Sequence, residues 1–157
     1  MKFSLRLIAS VALLVSVGLI SGCGSSNNKG KIVGKWKISG GAGIKEEELK
    51  MMEAFKVTLV MEFKEDGTVR MGLEAPPEMQ KMLEKGDGKS SASFKYKLLS
   101  GDTVEFYDIP KDMQDKEGGG LFGKKDRGKA TVKIEGDNMT ITDDETKDKP
   151  LKLTKMK

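Results

Sequence analysis

The chain has 157 residues, of which 37% are hydrophobic and 33% charged, and its formal net charge is +4. That length suits one domain with a core of its own. Histidine is absent and Cys23 is the single cysteine, which excludes histidine-dependent catalytic triads, the usual zinc sites and a disulfide within the chain. We therefore predict a protein without catalytic activity, cofactor or metal.

Residues 1–22 have the layout of an export signal. Lys2 and Arg6 provide a basic start, and Leu7–Ile20 form an apolar run of about 14 residues. A membrane-spanning helix needs about 20 apolar residues, so the run favours a cleaved signal over a retained anchor. The residues at its end, Ile20-Ser21-Gly22-Cys23, resemble the lipobox of bacterial lipoproteins.

The lipobox resemblance implies cleavage before Cys23 and acylation of that cysteine with fatty acids such as palmitate. Two or three acyl chains anchor a protein stably, whereas one binds only marginally. The alternative is that Cys23 is a free or intermolecular thiol. By the same resemblance, Gly24 in place of an aspartate implies the outer membrane, if the organism is diderm. We therefore expect a cell-envelope protein attached to a membrane through its lipid anchor.

The charge pattern argues against a nucleic-acid partner. Of the 28 lysines and arginines, Lys2 and Arg6 belong to the signal, which leaves 26 against 24 acidic residues. The two signs are interspersed along the chain without a polybasic block. Neither nucleic acid nor anionic lipid is therefore indicated as a partner.

Residues 23–30 are polar and rich in Gly, Ser and Asn, which predicts a flexible tether from the lipidated cysteine to a domain over residues 31–157. From Lys31 onward, apolar and polar residues alternate, as in a strand with one buried face. Turns that combine Gly with Asp or Asn separate most of these segments, which is typical of β-hairpins. About eight strands are predicted, with the following apolar-face residues: Ile32, Gly34, Trp36 and Ile38; Val57, Leu59, Met61 and Phe63; Val69, Met71 and Leu73; Phe94, Tyr96 and Leu98; Val104 and Phe106; Ala130, Val132 and Ile134; Met139 and Ile141; Leu151 and Leu153.

A first short helix is predicted over Ile44–Phe55, where the alternation stops. Three glutamates near its start suit the positive end of the helix macrodipole. Leu49, Met52 and Phe55 are spaced to share one apolar face.

A second short helix is predicted after the third strand. Pro76-Pro77 suits a helix start, Met79, Met82 and Leu83 form an apolar stripe, and Gly86 suits its end. We expect both helices to lie over the ends or sides of the sheet.

Strands that are apolar on one face must cover that face, either by closing into a barrel or by packing on a second sheet. Eight strands suit an antiparallel up-and-down barrel. Gly34-Lys35-Trp36 resembles the Gly-x-Trp of lipocalins, in which the tryptophan plugs one end of such a barrel. With Phe63-Lys64-Glu65-Asp66-Gly67-Thr68, the layout is similar to bacterial lipocalin-like lipoproteins, including paralogous planctomycete families. The resemblance implies a lipocalin-like barrel closed by Gly34 and Trp36.

One long stretch, from Pro110 to Arg127, lacks apolar periodicity, and such loops in compact domains are usually functional or disordered. Three glycines at its centre precede an apolar pair followed by lysines. Such a pair could enter a lipid interface, dock on a partner or cover the barrel mouth. It could equally pack back onto the barrel, or the segment could be a disordered insertion. The candidate contact loop consists of Leu121, Phe122, Lys124 and Lys125.

Two further features have structural interpretations. Asp143-Asp144-Glu145 lacks the oxygen spacing of a calcium loop and predicts a solvated turn. The ten methionines could in principle bind Cu(I). However, Met61 and Met71 fall on apolar strand faces and others on helix stripes, which predicts adaptable core residues.

Two functions remain open. The first is an interaction module that contacts a partner or surface from outside a filled barrel, without catalysis. The second is binding or carriage of a small apolar ligand inside the barrel, since eight strands leave room for packed side chains or for one small ligand. The large predicted core residues favour the first.

Overall fold

Eight strands and two helices make up the described part of the chain. The computed structural model describes residues 28–85, 91–111, 113–114, 125–144 and 149–157. Each strand pairs antiparallel with its sequence neighbours, and the last pairs with the first, which closes the barrel. The predicted eight-stranded antiparallel barrel with two short helices is confirmed. The elements are β1 (Gly34–Gly40), α1 (Glu46–Ala54), β2 (Thr58–Phe63), β3 (Thr68–Glu74), α2 (Pro77–Lys85), β4 (Ser91–Leu98), β5 (Thr103–Tyr107), β6 (Arg127–Glu135), β7 (Asn138–Asp143) and β8 (Leu151–Lys155).

Because successive strands run in opposite directions, their connections alternate between the two ends of the barrel, and the two ends carry different kinds of connection. One end, the turn end, carries the tight β2–β3, β4–β5 and β6–β7 connections. There Gly67, Gly101 and Gly136 adopt φ values of +79°, +67° and +61°, a region that glycine enters without steric cost. The other end, the loop end, carries both helices and the long β5–β6 connection.

The predicted alternation places the core correctly. Inward-facing residues of all eight strands form a single cluster of buried side chains, while most of their neighbours along each strand are at least partly exposed; Val60 on the outer face of β2 is the exception among the described strand residues. The buried cluster contains Ile32, Trp36, Ile38, Met61, Phe63, Val69, Phe94, Tyr96, Val104, Phe106, Ile109, Ala130, Val132, Met139, Ile141, Leu151 and Leu153.

Helix α1 is shorter than predicted and its apolar face is partly wrong. The helix ends at Ala54, and Lys56 adopts a φ of +55° that turns the chain into β2. Leu49 and Met52 are half-buried, but Phe55 is 59% exposed, because it sits where the helix stops. Within the described residues, no helix has the length and apolar character needed to cross a bilayer.

The folded body begins before the predicted boundary at residue 31. Asn28 is buried, and its amide donates hydrogen bonds to the Val132 carbonyl at 2.6 Å and to Asp102 Oδ1 at 3.3 Å. Its own carbonyl accepts from the backbone amides of Lys31 and Ile32. Asn28, a residue of the predicted tether, is therefore held at the turn end, while Lys29 and Gly30 are exposed.

Candidate interaction surface

The barrel interior is filled by apolar side chains. Phe63 lies edge-on to Tyr96, with ring centroids 5.3 Å apart, and Phe106 lies 6.3 Å from Phe63 and 5.9 Å from Phe94. The Tyr96 hydroxyl donates to the Lys64 carbonyl at 2.9 Å, and burial raises the pKa of this phenol. Among the described residues, no buried side-chain nitrogen or oxygen lacks a hydrogen-bond partner, so no spare polar group points into the core.

Trp36 lies in this core, fully buried on β1, and its indole Nε1 donates to the Ile32 carbonyl at 2.8 Å. The Lys155 ammonium lies 5.3 Å from the ring centroid. Gly34 lies beside that lysine: a Cβ there would lie 3.6 Å from Lys155 Cε, an ordinary contact, and it is the φ of +130° that favours glycine. Gly34, Trp36 and Lys155 thus form one packed unit across the seam between β1 and β8.

Clefts lined by charged residues lie on the outside of the barrel. A cleft of about 350 Å³ is bordered by Lys35, Glu62, Arg70 and Glu74 of β1–β3 and by Gln80 of α2. Lys35 Nζ donates to Glu74 Oε1 at 2.7 Å, and this contact raises the pKa of Lys35. Two of the charged groups that line the cleft, Lys35 and Glu74, therefore already pair with each other.

The second cleft, of about 290 Å³, brings two features of the sequence together at the loop end. Lys125 of the candidate contact loop, together with Arg127 and Lys129, lines it on one side, and Asp143 and Asp144 line it on the other. Glu145 lies outside the described residues. No group of three or more potential metal ligands occurs among His, Cys, Asp and Glu in the described part.

The candidate contact loop is described only in part. Lys125 is exposed, whereas Leu121, Phe122 and Lys124 lie outside the described residues. At the start of the stretch, Ile109 is buried and Met113 packs against the core, and β6 begins at Arg127. Within the stretch, Met113 is thus in contact with the core and Arg127 belongs to β6, while the contact role of the loop stays a prediction.

The methionines predicted to fill the core occupy those positions. Met61 is fully buried, Met71 packs against the core, and Met139 is also buried. On α1, Met52 is half-buried while Met51 is 63% exposed. Met61 and Met71 therefore pack as adaptable core side chains.

The outer surface of β4–β8 carries a basic patch that the charge pattern of the sequence did not reveal. Neighbouring strands pair outward-facing residues in four rows, and we call these twelve residues the basic wall. Six of them are lysine or arginine and one is acidic. The rows are Lys95–Tyr107–Arg127, Lys97–Glu105–Lys129, Thr103–Thr131–Thr142 and Lys133–Thr140–Lys152.

A cluster of acidic side chains lies on helix α1. The first turn of α1 contains Glu46, Glu47 and Glu48. Glu53 of the same helix forms an ion pair with Lys37, with 3.0 Å between Oε1 and Nζ. Period-two alternation and folding therefore separate charges that are mixed along the sequence.

Comparison with known proteins found no relative: no family model, curated protein sequence or solved structure matches this chain.

Proposed function

We propose that this protein is a non-catalytic interaction module, held at a membrane through acylated Cys23, that contacts its partner with the outer surface of the barrel. The filled interior carries the proposal. An eight-stranded barrel holds either packed side chains or one small ligand, and here the rings of Phe63, Phe94, Tyr96 and Phe106 pack against one another within the buried core. Ligand carriage would need space that these rings fill.

The position of the N-terminus supports the anchoring part of the proposal. Asn28 is fixed at the turn end, and the five residue steps from Cys23 reach at most about 18 Å. An acylated Cys23 would therefore keep the turn end close to the membrane and the loop end away from it. Of the contacts predicted for the loop that contains Lys125, docking on a partner suits this orientation better than insertion into the anchoring membrane.

The anchor is tested by labelling cells that express the full chain with radioactive fatty acid. Wild type is expected to be labelled and processed, whereas Cys23→Ser is expected to be unlabelled and to retain the larger precursor. Equal labelling of the two would refute the anchor.

The filled interior is tested by native mass spectrometry of the full chain purified in neutral detergent. The expected mass is that of the protein with its covalent acyl groups. An apolar small molecule retained at about one per chain would overturn the interaction module in favour of the ligand carrier.

A further inference from the structure

We infer that the basic wall binds an acidic polysaccharide, a flexible chain of sugars carrying repeated carboxylate groups. The inference rests on the proposed interaction function and names its partner class. It concerns the outer surface alone and does not depend on the lipid anchor.

Five of the six cations of the wall are exposed; the sixth, Lys95, is partly buried and donates to Thr68 Oγ1 at 3.0 Å. Lys97, Lys129, Lys133 and Lys152 are exposed, and the Arg127 side chain is 64% exposed although it lies 3.5 Å from Glu105. Glu105 is the one acid in the rows, and its side chain is only 19% exposed. Two further acids border the rows: Asp144 lies beside Lys129, and Glu135 follows Lys133 on β6. With six cations against these three acids, positive charge still prevails on this face.

The spacing of these cations suits a polymer. Residues two apart along a strand lie about 7 Å from each other, and neighbouring strands lie about 4.8 Å apart. Lys129 and Lys133 of β6 are thus separated by about 13 Å, and Lys133 and Lys152 by two strand spacings, or about 10 Å. A single small anion cannot bridge such distances, whereas a chain with a charge on each sugar reaches several cations at once.

Hydroxyl groups between the cations favour a carbohydrate. On β6, Thr131 lies between Lys129 and Lys133, and it pairs with Thr142 of β7. Thr140 of β7 lies between Lys133 and Lys152 in the last row. Each hydroxyl both donates and accepts hydrogen bonds, which matches the hydroxyl groups of a sugar chain.

A membrane surface and a nucleic acid suit the wall less well. Peripheral membrane-binding surfaces combine basic groups with apolar side chains that enter the lipid, and the rows contain no aliphatic residue. Binding of single-stranded nucleic acid relies on several aromatic platforms. The wall has one aromatic residue, Tyr107, and the Arg127 guanidinium already lies 5.8 Å from the centre of its ring.

The test uses the full chain in neutral detergent and fluorescently labelled polygalacturonate, with neutral dextran as the uncharged probe. In the wall variant, Lys97, Lys129, Lys133 and Lys152 are all replaced by glutamine. In the control variant, Lys45, Lys50, Lys56 and Lys81, which are exposed on or next to the helices, are replaced in the same way. Both variants lose four positive charges, so only the location of the loss differs. A third variant with arginine at the four wall positions keeps the charge.

We expect the wild type to bind polygalacturonate but not dextran, and binding to weaken as salt rises. The wall variant should bind at least about tenfold more weakly, and the control and arginine variants within about threefold of wild type. Equal melting temperatures of the wall and control variants show that lost binding does not come from unfolding. If the wall variant melts lower, the inference is judged on two other results: binding by the arginine variant, which keeps the charge, and the weakening of wild-type binding as salt rises.

Three outcomes would overturn the inference. The first is no binding of polygalacturonate by the wild type, and the second is equal weakening in the wall and control variants. The third is that micelles containing anionic lipid, or single-stranded DNA, displace the labelled polygalacturonate more strongly than unlabelled polygalacturonate does. None of these outcomes changes the mass expected in native mass spectrometry. A failure of this inference is therefore distinguishable from a failure of the proposed function.

Discussion

Lys155 holds its ammonium nitrogen 5.3 Å from the centre of the Trp36 ring, and the same two residues are partners in the β1–β8 pairing that closes the barrel. A cation over the face of an indole is attracted by the negative charge density of the ring. The contact therefore adds side-chain attraction to the backbone hydrogen bonds at the seam.

Replacing Trp36 tests how much its burial stabilises the barrel. Trp36→Ala removes the largest fully buried side chain and should lower the free energy of unfolding by about 3–5 kcal/mol. Because Trp36 is the only tryptophan, unfolding is followed by circular dichroism in urea. Met51→Ala on the exposed face of α1 serves as the control, with an expected change below about 0.5 kcal/mol. A Trp36→Ala cost under about 1 kcal/mol would show that the tryptophan does not support the core.

The charge on Lys155 is tested separately from its packing. Lys155→Met keeps an unbranched side chain of similar length and removes the charge. We expect a loss of about 0.5–1 kcal/mol in the wild type and almost none in a Trp36→Leu background, where the indole is gone. An equal loss in both backgrounds would place the effect of Lys155 outside the ring contact.

Asn28 is expected to stabilise the turn end. Val132 donates its amide to the Asp102 carbonyl, while its own carbonyl accepts from the Asn28 side chain. Asn28→Ala leaves that carbonyl without this partner and should cost about 1–3 kcal/mol in urea unfolding. Lys29→Ala, at the exposed next position, controls for a change in the same segment. Equal effects of the two substitutions would contradict the role of the Asn28 side chain.

The barrel could be predicted from sequence because strand alternation is local. Each inward residue, such as Val69 or Ile141, is flanked by outward ones, so a window of a few residues contains the signal. The glycine turns could be predicted for the same reason. Phe55 was misplaced because its spacing fits a helix face, while the helix end is set by the backbone turn at Lys56.

Asn28 and the basic wall could not be predicted because both depend on strands far apart in sequence. The amide of Asn28 meets a carbonyl 104 positions away. The cations of β4, β6 and β8 become neighbours only once the register of four strand pairs is fixed. A count of charge along the chain therefore misses the wall.

Acid should weaken the β2–β3 turn through Asp66. Its carboxylate accepts hydrogen bonds from Thr68, including one from the backbone amide at 2.9 Å, and these bonds lower its pKa below the usual 3.8. A carboxyl whose pKa is lower in the folded state stabilises the fold above its unfolded pKa, and this stability disappears as pH falls through the folded value. Stability measured from pH 6 down to pH 2 should therefore fall more steeply for wild type than for Asp66→Asn.

A control for the turn is Glu65→Gln, which removes a neighbouring exposed charge. We expect its pH profile to follow that of wild type. If Asp66→Asn and wild type lose stability in parallel as pH falls, the hydrogen bonds from Thr68 do not contribute to the acid dependence.

Gly41 lies close to the backbone that leads into β8 at the loop end. It follows β1 with a φ of +87°, and a Cβ at this position would overlap the Pro150 carbonyl group and lie 3.1 Å from Leu151 Cα. These are backbone atoms at the start of β8, so they cannot swing aside as a side chain could. Gly41→Ala should therefore combine the cost of a positive φ with a steric conflict between two connections.

Gly101 separates the two costs. It has a φ of +67° and nothing within 4 Å of the position of a Cβ, so Gly101→Ala meets only the backbone strain, about 1–2 kcal/mol. We expect Gly41→Ala to cost about 4 kcal/mol or more in urea unfolding followed by circular dichroism. Because the conflict lies where β8 begins, amides of β8 should also exchange with solvent faster in Gly41→Ala than in Gly101→Ala. Similar costs for the two substitutions would mean that the connection before Pro150 can move away from β1 without loss of the barrel seam.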